Sequence, residues 1–79
     1  MSNEQPGQTF GQKAVGLSFN PSGSARVEKI KQLYAEIIDE MNALRLQSES
    51  GEVKRHCSVA ITDAETAQMR AVKALTWKD

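Results

Sequence analysis

The sequence predicts an all-α protein, built as an antiparallel two-helix hairpin with a short N-terminal loop or helix segment. Two stretches of the 79-residue chain repeat apolar or small residues at 3-4-3-4-3 spacing, the rhythm of a helical packing seam. The polar segment QSESGE, residues 47–52, lies between them and suits a turn between antiparallel helices. We therefore expect two arms of about 33 Å each, at 1.5 Å per residue.

We expect the chain to divide into a tail, residues 1–15, and a helical hairpin domain, residues 16–79. The tail, MSNEQPGQTFGQKAV, is rich in Gln, Gly and small polar residues and has no sustained periodicity, so we expect it to be flexible. The domain opens with the loop GLSFNPSG, residues 16–23. Pro21 restricts the residue before it, and Gly23 permits an unusual backbone angle.

The first helix of the hairpin is predicted from about Ala25 to Gln47. Leu33 and Ile38 widen its apolar stripe beyond a single seam. A two-helix hairpin does not cover that width, so we expect several hairpins to associate. The predicted seam consists of Val27, Ile30, Tyr34, Ile37, Met41 and Leu44.

The second helix is predicted from about Val53 to Thr76, with a seam of small residues. Small side chains let two helix backbones approach closely, under the larger residues of the partner helix. The predicted seam consists of Cys57, Ala60, Ala64, Ala67, Ala71 and Ala74, whereas Ile61, Met69, Val72 and Leu75 are expected to face elsewhere.

Composition excludes several classes of protein. Ten Lys/Arg balance ten Asp/Glu, and a protein that coats DNA or RNA normally has a strongly basic surplus. No apolar run approaches the roughly 20 residues of a membrane span. The N-terminus lacks a signal-peptide pattern, so we expect a cytosolic protein with a reduced Cys57. One cysteine and one histidine are too few for an internal disulfide or a structural zinc site, which leaves oligomerisation as the source of extra burial.

No constellation of residues indicates catalysis. The chain has no GxGxxG, Walker or CxxC motif. His56 and Cys57 are adjacent, and adjacent residues on a helix point about 100° apart, so they do not face each other. We therefore expect Cys57 to be a core residue, and the protein to have no catalytic residues, bound metal or cofactor.

Ligand binding is the better-supported hypothesis. Phe19 precedes a cluster of cations at the start of the first helix, and a nucleotide needs a flat apolar surface for its base and cations for its phosphate. The alternative for Lys31 is an ordinary surface pair with Glu28. Ser58 and Thr62 share one helix face. They either form local hydrogen bonds or present a ring of hydroxyls where symmetry-related copies meet.

Two segments resemble a known family. The pattern GLSFNPSG…V.KIKQLYAEIID followed by SVAIT…A.M.AVKALTW resembles the phage anti-CBASS proteins that sequester cyclic oligonucleotides. It is similar also to the helical hairpin of the Thoeris anti-defence sponges. The resemblance covers about residues 16–77.

The resemblance implies a homohexamer of hairpins in the cytoplasm of an infected bacterium, which holds its ligand without cleaving it and so blocks CBASS-type effectors. It implies cyclic dinucleotides between protomers and, as in many family members, cyclic trinucleotides at three-fold axes. In the family, an aromatic residue near the N-terminus stacks on a base and a lysine early in the first helix contacts phosphate, so the resemblance implies the same roles here. The candidate dinucleotide site is Phe19, Lys31, Asn20, Leu17 and Arg26, and the candidate trinucleotide site is Thr62, Ser58 and Arg55.

Three alternatives stay open. A structural or adaptor protein would use the hairpin surfaces to bind another helix and would show no affinity for nucleotides. A sponge for the cyclic ADP-ribose type of Thoeris signal would share the hairpin. An enzyme that degrades the messenger would release linear products.

Overall fold

The computed structural model describes residues 7–79 as three helices. Helix α1 spans Phe10–Ala14, α2 spans Ala25–Gln47 and α3 spans Gly51–Leu75. The three-residue connection, residues 48–50, folds α3 back along α2, and α1 packs on α2. Residues 7–79 contain no β-strand. The predicted all-α class and helical hairpin are thereby confirmed.

Serine side chains fix where the two long helices begin. The Ser24 hydroxyl accepts a hydrogen bond from the Val27 N–H at 3.4 Å, and the Ser50 hydroxyl accepts one from the Val53 N–H at 3.2 Å. Each bond satisfies an amide that has no partner within its helix. None of the helices in the described range combines the length and apolarity that crossing a membrane requires.

Helix α1 lies within the segment that the sequence assigns to the tail. A capping box begins it: the Gln12 N–H donates to the Thr9 hydroxyl, and the Thr9 N–H donates to the Gln12 side chain. Five residues are too few to show a helical period, so the sequence does not reveal this helix. Residues 1–6 of the predicted tail lie outside the described residues, and the division at residue 15 stays a prediction.

The close contact between α1 and α2 depends on Gly11. Its N–H donates to a carboxylate oxygen of Asp39 at 2.7 Å. A β-carbon at position 11 would lie 2.0 Å from the Ala35 carbonyl oxygen, far inside van der Waals contact. Glycine is therefore the residue that lets the two backbones touch, and the Asp39 carboxylate joins them.

The buried core differs from the predicted seams. Ile37 and Leu44, two predicted seam residues of α2, are exposed, whereas Ile38 and Ala35 are buried. On α3, Ile61 is buried, contrary to prediction. The buried stripe of α2 is rotated relative to the predicted seam, because α1 and the loop after it, as well as α3, cover α2. The core cluster is Val15, Ala35, Ile38 and Ile61, flanked by Ala14, Leu17, Tyr34, Met41 and Ala64.

Cys57 is buried and unpaired, as expected of a core residue. Of the small residues predicted to line the α3 seam, Ala64 packs against the core cluster, but Ala67 and Ala74 are exposed. The small-residue rhythm therefore locates only part of the surface on which α3 meets α2.

Candidate functional site

A tight turn carries the chain from α1 into the loop that bears Phe19. Gly16 has a φ of +62°, the left-handed conformation that glycine adopts without steric cost. The Gly16 N–H donates to the Lys13 carbonyl and the Leu17 N–H donates to the Gln12 carbonyl. This pair of bonds is a Schellman motif, which ends α1 and turns the chain sharply. The Phe19 N–H then donates to the Gly16 carbonyl at 2.9 Å.

Lys31 reaches this turn from the second turn of α2. Its side chain is buried, with 5% of its surface exposed. Its ammonium donates to the carbonyl oxygens of Gly16, at 3.0 Å, and Phe19. Burial lowers the pKa of Lys31 below its ordinary value of 10.5, because desolvation disfavours the charged form. Lys31 thus holds the loop from its buried side. It does not form the alternative surface pair with Glu28.

The Phe19 ring lies on the outside of the same turn. It is 71% exposed, and the Lys31 ammonium lies 5.5 Å from its centroid. At that distance the cation interacts with the ring electrons and helps to fix the orientation of the ring. The turn therefore presents the Phe19 ring to solvent as a flat apolar surface above a buried charge.

Asn20 braces the far side of the loop. Its side-chain amide donates to the Ser24 carbonyl at 3.0 Å, and its side-chain oxygen accepts from the Ser22 hydroxyl at 2.7 Å. The Ser24 N–H in turn donates to the Ser22 hydroxyl. These bonds tie the loop to the start of α2, so Phe19 is held from both sides.

The remaining predicted dinucleotide residues lie further from the ring. Leu17 is partly buried against the core cluster, and Arg26 is exposed in the first turn of α2. The structure therefore brings Phe19, Lys31 and Asn20 together and gives Leu17 a packing contact.

A groove of about 390 Å³ runs beside the Phe19 ring. The loop forms one wall and the carboxyl-terminal end of α3 forms the other. Hydroxyls, an amide and a lysine line it together with apolar groups: Phe19, Asn20, Pro21, Ser22, Val27, Val72, Thr76 and Lys78. Sequence analysis did not include Thr76 and Lys78. Their position follows from two arms of similar length, since the end of α3 must then return to the start of α2.

The predicted trinucleotide residues lie along α3. The Ser58 hydroxyl accepts a hydrogen bond from Arg45 of α2 at 3.1 Å. Thr62 is exposed one turn later, as expected of hydroxyls that share a face. Arg55 is exposed and pairs with Glu52 at 3.1 Å. The structure thus brings Ser58 and Thr62 onto one surface and directs the Arg55 guanidinium toward Glu52.

Sequence analysis also missed Arg45. Its guanidinium donates to Ser58 and to the Asn42 side chain, at 3.1 and 2.7 Å, and lies 5.6 Å from the centroid of the Phe10 ring. An arginine near the end of a helix has no sequence signal of its own. Its contact with Ser58 follows only from how α2 and α3 dock.

Together these groups suit a flat, negatively charged molecule. An exposed ring offers stacking area, a nearby ammonium offers positive charge, and hydroxyl and amide groups offer hydrogen bonds. Within residues 7–79 no cluster of three or more His, Cys, Asp or Glu side chains is placed to hold a metal ion.

Comparison with known proteins gives one match. The family model described as the Acb2/Tad1 hairpin domain matches residues 12–76, which include the Schellman turn, the Phe19 loop and both long helices. No curated protein and no solved structure matches. Because the match extends over most of the chain, the protein belongs to the Acb2/Tad1 hairpin domain family, the anti-CBASS and Thoeris anti-defence sponges.

Proposed function

We propose that this protein sequesters cyclic oligonucleotides, with a cyclic dinucleotide base stacked on Phe19. The family consists of phage anti-defence sponges that bind cyclic nucleotides rather than enzymes that convert them. The observation that supports the dinucleotide assignment most is the exposed Phe19 ring, on a loop braced by Lys31 and Asn20. By holding the messenger intact in the cytoplasm of the infected host, the protein prevents activation of a CBASS-type effector.

The phosphates of the ligand need positive charge near the ring. The Lys31 ammonium, which donates to two loop carbonyls, adds positive charge beneath the ring. Arg26 is exposed on the first turn of α2, and Lys78 lines the groove beside Phe19. These cations supply local charge although the chain carries no net charge.

We further propose that the protein acts as a homohexamer. Exposed apolar side chains on the outer face of α2, with an apolar groove of about 500 Å³ between α2 and α3 near the connection, support association of hairpins. The face on α2 comprises Leu33, Ile37 and Leu44. In such an assembly, each dinucleotide would lie between protomers.

The proposal is tested by capture and release. The protein is incubated with cyclic di-AMP, cyclic di-GMP, cyclic GMP–AMP, a cyclic trinucleotide and a cyclic ADP-ribose isomer. It is then separated, digested with protease, and the released molecule identified by mass. Recovery of an intact cyclic oligonucleotide supports the sponge, and a linear product indicates an enzyme. Capture of the ADP-ribose isomer alone indicates the Thoeris class, and no capture at all favours the adaptor.

Phe19→Ala tests the stacking contact. A stacked base contributes about 1–3 kcal/mol by alanine substitution, so dinucleotide affinity should fall by roughly 5- to 150-fold in calorimetry. Phe10→Ala is the matched control, since it removes a ring of the same size whose contact is with Arg45. Unchanged affinity in a folded Phe19→Ala protein would make Phe19 a packing residue.

Thr62→Val tests a separate trinucleotide site. The change keeps the shape of the side chain and removes its hydroxyl. We expect weaker binding of a cyclic trinucleotide and unchanged binding of cyclic dinucleotides, because Thr62 lies on α3 outside the Phe19 groove. Equal losses for both ligands in calorimetry would contradict two separate sites.

A further inference from the structure

A single side chain of α2, Lys31, makes two hydrogen bonds to the Phe19 loop. The Lys31 ammonium donates to the carbonyl of Gly16, where the loop begins, and to that of Phe19, three residues later. The same ammonium lies 5.5 Å from the Phe19 ring centroid. One buried charge therefore contacts the backbone on both sides of the turn and the ring that the turn carries.

Because of the geometry of the turn, these contacts determine the position of the Phe19 ring. The Schellman bonds fix the backbone up to Leu17, and the Asn20 bonds fix it from Asn20 onward. Between these points the Phe19 N–H closes the turn onto the Gly16 carbonyl, the same oxygen that accepts from Lys31. Without the ammonium, the carbonyls of Gly16 and Phe19 would lose their charged donor, and water would compete for them as a hydrogen-bond partner.

The burial of Lys31 indicates that its main role is to contact the loop rather than the ligand. A lysine that only attracts a phosphate gains nothing from being buried, because burial disfavours its charged form. Lys31 has 5% of its surface exposed, whereas Lys29, two residues earlier on the same helix, is exposed. The cost of burying Lys31 is offset by the two carbonyl contacts, which serve the loop.

We propose that Lys31 is a positioning residue, which sets the Phe19 ring for stacking by holding the carbonyls of Gly16 and Phe19. Lys31 then acts on the bound nucleotide mainly through Phe19. This inference rests on the proposed function for its effect on binding, but the ordering of the loop is a property of the free protein.

The test in the free protein uses hydrogen exchange of single amides by NMR. Lys31→Met keeps the length and burial of the side chain and removes the donors, and Lys29→Met is the matched control on the exposed face. We expect at least about fivefold faster exchange of the Phe19 amide in Lys31→Met, with little change in Lys29→Met, because exchange reports local opening. Unchanged exchange of the Phe19 amide in Lys31→Met would overturn the proposal.

The test in the complex is a double-mutant cycle with the cyclic dinucleotide that binds most tightly. If Lys31 acts through the ring, Lys31→Met should weaken binding about fivefold or more in the native protein and less than about twofold in a Phe19→Ala background. Affinity losses that multiply in the double variant would show direct phosphate contact and overturn the proposal.

The Lys31→Gln variant distinguishes loss of the N–H donors from a general packing defect. Its side-chain amide retains two N–H donors without the charge, so it should restore part of the Phe19 amide protection and part of the affinity. A Gln variant no better than Met would contradict a donor role. If the native protein captures no nucleotide, the proposed function fails, and the amide exchange alone decides whether Lys31 positions the loop.

Discussion

Among the charged groups near the Phe19 loop, the Lys31 ammonium makes the closest contacts with it. The Lys31 side chain is buried, with the loop carbonyls of Gly16 and Phe19 as its hydrogen-bond partners. Desolvation lowers its pKa in the folded protein, whereas the unfolded chain restores the ordinary value of 10.5. Stability must therefore depend on pH where the two states bind different numbers of protons.

The sign of that dependence is a prediction. Between the lowered pKa of folded Lys31 and 10.5, the unfolded state binds more protons, so the free energy of unfolding rises with pH across this window. Below the window both states are protonated, and the Lys31 contribution is constant. Urea unfolding of the native protein and Lys31→Met from pH 7 to 11 measures the effect.

The difference between the two proteins isolates Lys31, because the contributions of all other groups are common to both. We expect this difference to shift in favour of the native protein as the pH approaches 10.5. A shift in favour of Lys31→Met would mean that the carbonyl contacts stabilise the ammonium enough to raise its pKa, which would contradict the effect of desolvation.

The candidate site was predictable from the sequence only in outline. A ring in a polar loop ahead of a lysine-rich helix start indicates Phe19 and Lys31, and the structure brings these two residues together. Burial of Lys31 and the contact of Arg45 with Ser58 depend on how the three helices dock. Helical docking is set by many weak contacts at once, and a single sequence does not encode it as a motif.

Helix α1 depends on its contacts for its helical conformation. A five-residue helix is unstable in isolation, so its conformation depends on the capping box and on packing against α2. Gly11 and Asp39 provide the closest of these contacts. Because the Schellman turn follows α1 directly, the position of α1 also determines where the Phe19 loop starts.

Gly11→Ala should displace α1. The added methyl would overlap the Ala35 carbonyl, which is main chain and cannot rotate away, so we expect a loss of roughly 1–3 kcal/mol of unfolding free energy. Gly51→Ala is the matched control, because its added methyl meets open space and should leave stability unchanged or raise it by up to about 1 kcal/mol. Chemical denaturation measures both variants. Equal stabilities would show that the contact of α1 with α2 is dispensable.

The long helices were more predictable than their packing. The first predicted helix has the bounds of α2, and the second differs from α3 by two residues at its start and one at its end, because the apolar periodicity and the polar connection agree. The identity of the buried face was predicted wrongly for Ile37 and Ile61. A period of 3.6 residues allows neighbouring stripes, and the choice between them depends on α1, whose five residues are too few to show a helical period.

At the scale of the whole molecule, the single hairpin leaves a large apolar surface in water. Ile37 is 51% exposed, and Leu33 and Leu44 lie on the same face of α2. Full burial of an exposed Leu or Ile contributes about 1.5–3 kcal/mol, so these half-exposed side chains would contribute roughly 1 kcal/mol each between protomers, and several of them together favour assembly. Charges of both signs in equal number also leave no net repulsion between copies.

Ile37→Glu should dissociate the proposed assembly, because a buried unpaired carboxylate at the junction is far costlier than the isoleucine that it replaces. Leu46→Glu is the matched control. Leu46 is equally an exposed apolar residue of α2, but nine residues at 100° each place it on the opposite side of the helix. Sedimentation analysis should give a hexamer for the native protein and Leu46→Glu, and smaller species for Ile37→Glu. A native monomer would refute the assembly.

The three-residue connection between α2 and α3 has a practical consequence. Ser48 and Ser50 reverse the chain at the end of α2 that is opposite the Phe19 loop, about 35 Å away for a 23-residue helix. Surface turns between rigid segments accept inserted sequence well. A fluorescent reporter spliced in at this tip would sit a full helix length from the captured messenger, and the protein could serve as a genetically encoded sensor.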